Sequence, residues 1–158
     1  MPSDALVREQ LVNFLRGGNA HITVKTAFEN FPPAFFNEKP LRLFFSAWQL
    51  LEHMRITQWD ILEFIRNPNH NSPEWPGGYW PAENQKADEE KWQHTLSQFT
   101  SDLDELEQLV KNPNTALYSP LPHARSYTIL REILLVGDHN AYHLGQMIML
   151  RRLLNIWE

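Results

Sequence analysis

The chain has 158 residues, a formal net charge of -5, 42% hydrophobic and 21% charged residues, and no cysteine. That length lets one core form without covalent staples, since a chain of this size buries roughly two thirds of its unfolded surface. An acidic chain with scattered Lys and Arg suits neither phosphate backbones nor anionic membranes, and the lack of Cys excludes disulfides, thiolate ligands and a protein thiol nucleophile.

The opening MPSDALVREQL lacks the charged-then-apolar order of a signal peptide, and no apolar run reaches the length of a membrane span. The expectation is a cytoplasmic protein, with residues 1–158 as a single domain. Ser3 is placed to cap a first helix from about Asp4 to Arg16, which Gly17-Gly18 would stop. Thr23, Pro32, Pro33 and Asn37 then mark an irregular connection holding one short helical turn near Val24 to Asn30.

Pro40 suits an early position in a second helix, where its missing amide costs nothing, and Asn67-Pro68 ends that helix after Arg66. Its apolar residues, among them Leu43, Phe44, Trp48, Leu51 and Ile61, exceed one stripe and predict a central or interface position. The Pro- and Gly-broken stretch from Asn67 to Glu83 carries Trp75, Tyr79 and Trp80, apolar weight that suits a lid. From about Asn84 to Lys111, Trp92, Leu96, Phe99, Leu103, Leu106 and Val110 step by four and three, the seam of a third helix. A last helix is expected from about Ser126 to Leu154. With no alternating strand pattern, an all-α four-helix bundle is the economical architecture.

His139 and His143 lie four apart on that last helix, so they point the same way about 6 Å apart along its axis. Their face also carries Ile129, Glu132, Val136, Met147 and Leu150, which makes it the buried seam. Burying an imidazole without a partner costs about 1 to 3 kcal/mol. A metal would satisfy both rings, and the best placed third ligand is His53, midway along the second helix. The residues alone leave open the plainer reading of core histidines bonded to ordinary protein groups.

The stretches WQLLEHMRITQWDIL (Trp48 to Leu62), DHNAYHLGQMIMLRRLL (Asp138 to Leu154) and AHITVKTAF (Ala20 to Phe28) resemble the DinB-like superfamily of metal-binding helical bundles. The resemblance covers nearly the whole chain, with one His on an early helix and HxxxHxGQ on the final one. It implies an up-down-down-up bundle, commonly homodimeric, in which His53, His139 and His143 hold zinc or nickel. Three neutral imidazoles leave a coordination position open, as in catalytic zinc sites.

Relatives with known activity move small thiols, so the implied function is a metal-dependent thiol S-transferase acting on small electrophiles, its nucleophile supplied by a low-molecular-weight thiol. The alternatives are a metal-dependent hydrolase, although the HExxH arrangement is missing, and a non-catalytic metal- or ligand-binding stress protein. Glu132 is the candidate catalytic carboxylate, placed to orient an imidazole or move a proton. Gln146, one turn after His143, is placed either to touch a ligand or to make an interhelical hydrogen bond, the plainer reading, and Asp138 and Glu52 read as surface pairs. Gln49, Thr57 and Asp60 share the His53 face, as orienting groups or pocket lining or as a partly solvated face of the bundle. Of His21, His70, His94 and His123, only His21 reads as an accessory to the site. No basic patch or recognition helix suggests nucleic acid as a partner.

Overall fold

The computed structural model describes residues 4–40 and 43–157. It is mostly helical. Helix α1 (Asp4–Arg16) buries Leu11, Val12 and Leu15 on one stripe, and Gly17 and Gly18 end it at φ +69° and +88°, backbone that L side chains rarely adopt. The Ser3 cap lies outside the described residues.

Helix α2 (Val24–Phe28) is the expected short turn, capped by the Thr23 hydroxyl, which accepts from the Thr26 amide at 3.1 Å. It begins an aromatic run whose Phe28, Phe31 and Phe36 all meet the buried Trp92, with Phe36 stacked at 4.2 Å.

Helix α3 (Ala47–Arg66) starts seven residues later than Pro40 would allow. Ser46 and Gln49 form a capping box: the Ser46 hydroxyl accepts from the Gln49 amide at 3.2 Å, and the Gln49 carboxamide oxygen accepts from the Ser46 amide at 3.1 Å. This reciprocal pair fixes the start. The Pro40 carbonyl instead accepts from the Leu43 amide, and Phe44 is 93% exposed, so neither extends the apolar face of the helix.

Helix α4 (Glu89–Lys111) likewise starts later than Asn84, at an Asp88 cap whose carboxylate accepts from the Lys91 amide. Its far end is held by Arg8. The buried guanidinium donates to the carbonyls of Val110, Asn112 and Thr115, each at 2.8 Å, satisfying acceptors the helix leaves open.

Strands β1 (Pro120–Leu121) and β2 (Ala124–Thr128) pair antiparallel, a small hairpin the sequence reading did not anticipate. Ser126 therefore lies in a strand, and helix α5 (Ile129–Leu153) begins at the Thr128 cap. α4 and α5 each pack against both α1 and α3.

A buried polar bridge crosses the middle of the molecule. Asn140 on α5 donates to the Gln58 carboxamide oxygen on α3 at 2.9 Å, and Gln58 donates to the Phe99 carbonyl on α4 at 2.6 Å. Buried polar groups demand partners, so this bridge sets the register of α5 on α3. Among the described residues, no helix is long and apolar enough to cross a membrane.

Candidate metal centre

The register set by Asn140 brings its neighbour His139, and His143 one turn on, opposite His53 on α3. The Nε2 atom of His53 lies 3.1 Å from that of His143 and 3.2 Å from that of His139. All three candidate ligand atoms fall within 4.8 Å of one another.

Proton placement explains why this convergence is more than a hydrogen-bonded cluster. The other nitrogen of His53, Nδ1, lies 2.8 Å from the Tyr79 carbonyl oxygen, which only accepts, so Nδ1 carries the proton. His143 Nδ1 faces the Gln146 carboxamide oxygen at 2.8 Å and carries its proton there. A neutral imidazole has one N–H, so both Nε2 atoms are bare lone pairs facing each other. His139 can offer one proton to this arrangement, which leaves a lone pair over.

Protonating the cluster is no remedy. Burial, together with the facing His143 and His53, pushes His139 down to about 3, and burial pushes His143 down to about 4 despite the Gln146 carboxamide. Burial also lowers His53. A divalent cation satisfies all three lone pairs at once. Imidazole nitrogens roughly 2.1 Å from a tetrahedral ion stand about 3.4 Å apart, within a few tenths of an ångström of the two separations from His53, at 3.1 and 3.2 Å.

The loop before α4 builds one wall. Trp80 stacks on His53 with ring centres 4.0 Å apart and planes 2° from parallel. Its neighbour Tyr79 holds His53 through its carbonyl, and its hydroxyl donates to Asp60 Oδ2 at 2.8 Å. His70 Nε2 donates to the other Asp60 oxygen at 2.7 Å. Burial first, and Asp60 second, push the Tyr79 hydroxyl up to about 12, so it remains a donor. One carboxylate on α3 thus ties down the loop residue that orients an imidazole two turns away. On the α5 side, the Tyr142 ring meets His143 edge-on at 4.9 Å. These groups enclose a cleft of about 500 Å³ above the three nitrogens.

Other expected residues are distributed as follows. Thr57 and Asp60 line the cleft. Gln49 is spent on the capping box and on the Glu83 carbonyl. Gln146 bonds within its own helix, not between helices, because three residues' spacing sets it beside His143. Glu132 is buried and raised by burial, yet it lines an adjoining hollow, with Arg131 donating to both its oxygens.

Glu52 pairs with Arg55 and Asp138 is exposed. His21 bonds the Ile22 carbonyl at the end of α1, apart from the cleft. His70, not expected to serve the site, is the orienting partner of Asp60; its position in a Pro-rich loop concealed that. His123 bonds the Phe64 carbonyl, and His94 is exposed.

The family model described as the DinB superfamily matches residues 22–147. The chain belongs to the DinB superfamily. No curated protein and no solved structure matches it. The matched stretch contains all three histidines and Gln146, so the DinB superfamily match covers the whole candidate centre and excludes only α1 and the end of α5.

Proposed function

We propose that His53, His139 and His143 hold a divalent transition metal, zinc or nickel, and that this DinB superfamily member is a metal-dependent thiol S-transferase acting on small electrophiles. The reading is carried by three Nε2 atoms converging on the floor of an apolar cleft, two of them already committed to carrying no proton. A divalent cation bound there supplies the charge that favours the thiolate form of a small thiol at neutral pH. The chain has no Cys, so the sulfur comes from a cosubstrate.

The protein's own residues do the positioning. The Tyr79 carbonyl and Gln146 fix the two imidazole tautomers, and Trp80 covers the His53 face and excludes water from it. Hydrolysis would need a carboxylate at the cleft free to move a proton. The cleft carboxylate is Asp60, which already accepts from Tyr79 and His70, so transfer is the better supported chemistry. The packing of α4 and α5 on both α1 and α3 supports a four-helix bundle, and the family resemblance supports its up-down-down-up order and a homodimer.

Protein purified without a histidine tag should contain stoichiometric metal by mass spectrometry, and His143→Ala should lose it. Conjugation of a chromogenic aryl halide with a panel of small thiols should stop on chelation and return with added zinc or nickel. Conjugation that persists in chelated protein would overturn the mechanism.

A further inference from the structure

Among the described residues, the cleft above the histidines is lined by no Lys and no Arg. Its walls are rings and aliphatic chains, with Trp75 and Tyr142 77% and 65% exposed and Ile61 buried. Asp60 is the carboxylate of those walls. A smaller hollow of about 230 Å³ shares Asp60, Ile61 and Leu135 with the cleft. Its guanidinium, Arg131, is already engaged by Glu132. An anionic group entering beyond the histidines would lose hydration, find no free cation on these walls and meet the Asp60 charge.

A second observation concerns Thr57, one turn beyond His53 on α3. Its hydroxyl oxygen is buried and has no hydrogen-bond partner among the described residues, although the residue lines the cleft. A buried hydroxyl left unpaired is costly, and a ligand that supplies the missing partner recovers that cost.

We propose that the molecule received by this cleft has a flat apolar body with no negative charge beyond its metal-directed head, and that Thr57 recognises its polar group. The inference rests on the metal-site reading for the head alone; the walls and Thr57 determine the remainder. Trp75 and Trp80 provide flat surfaces for an aromatic or unsaturated body, and the Thr57 hydroxyl sets where a hydroxyl, carbonyl or amine of the ligand must lie.

Two probe sets test this by quenching of tryptophan fluorescence. Zinc-loaded protein is titrated with thiophenols bearing a para hydroxymethyl, aminomethyl or carboxylate group. Chelated protein is titrated with benzyl alcohol, benzylamine and benzoate, which need no metal. In both sets the neutral and cationic members should bind about tenfold or more tightly than the carboxylate. Thr57→Val should weaken the hydroxymethyl thiophenol about fivefold while leaving zinc content in place and the melting temperature equal to or above that of the parent.

Equal or tighter binding of the carboxylates, or no saturable quenching by any probe at millimolar concentration, overturns the charge assignment. Unchanged affinity in Thr57→Val removes the role given to that hydroxyl. If the charge ranking holds in the thiol-free set while zinc adds nothing to thiophenol binding, the thiol-transfer reading fails and the ligand class stands.

Discussion

A neutral imidazole has one proton, and the carboxamide of Gln146 decides which nitrogen of His143 carries it. With Nδ1–H held by that oxygen, Nε2 is left as a lone pair aimed at the other histidines. Gln146→Leu removes the constraint without touching a candidate ligand, and zinc affinity should fall about 10- to 100-fold in competition with a chromogenic chelator. Gln146→Glu should restore it, because a carboxylate holds the same proton. Equal affinity in all three proteins would show that the tautomer needs no such support.

The same rings set a pH response. Unfolded, each takes up a proton near its ordinary value of 6.5, whereas folding holds His143 to about 4 and His139 to about 3, chiefly by burial. Between those values the unfolded chain binds more protons than the folded one. Stability therefore rises with pH across this window, and acidifying chelated protein from about pH 7 to about pH 5 should lower its urea midpoint. A midpoint that stays level over this range would show that the rings are not held unprotonated by the fold.

At the scale of elements, two glycines of α5 separate packing from motif. A Cβ built on Gly137 would land on the Phe14 ring of α1, so this glycine is what lets the two helices approach. Gly145, the glycine of the HxGQ sequence, has open space where its Cβ would point. Gly137→Ala should therefore destabilise the protein by about 1 to 3 kcal/mol, and a Phe14→Ala background should abolish that cost. Gly145→Ala should stabilise by up to about 1 kcal/mol through helix propensity alone. Denaturant unfolding of the parent, the three single variants and the double variant checks both, and a Gly137→Ala chain as stable as its parent would mean the Phe14 ring moves aside freely.

The long helices were legible because their causes are local. The Trp92 to Val110 seam, the stop at Gly17 and the Asn67-Pro68 boundary are each written in a few adjacent residues. The start of α3 was also written, as Ser46 followed three residues on by Gln49, but Pro40 and the apolar residues after it masked that signal. The β1–β2 hairpin had no such signature: β1 is two residues long and β2 does not alternate in burial. At the candidate site His139 and His143 could be paired from helical spacing, and His53 joined them through its mid-helix place and the family resemblance. The roles of Tyr79, Trp80 and His70 could not be read, since each depends on how a Pro-rich loop folds back over α3.

For the whole molecule, the proposed site makes the histidine cluster a place where α3 and α5 are held together at a cost in the absence of a cation. Facing lone pairs and desolvated imidazoles, His53 and His143 buried and His139 half-buried, oppose the metal-free fold, and a cation bound to the folded chain alone would add about 4 kcal/mol at a thousandfold excess over Kd. Replacing one ring by an aliphatic side chain of similar size should then have opposite effects in the two states. His143→Leu removes a bare lone pair from the cluster and leaves Gln146, which is only half-buried, free to turn to water.

In chelated protein this variant should match or exceed the melting temperature of the parent, as buried polar groups replaced by apolar ones often do. With zinc present the parent should rise by several degrees and the variant should not move. The crossing of the two proteins on metal addition separates a binding site from a structural hydrogen-bond cluster. If those imidazoles were instead satisfied by one another, His143→Leu would be the less stable protein with or without zinc, and the two melting curves would never change order.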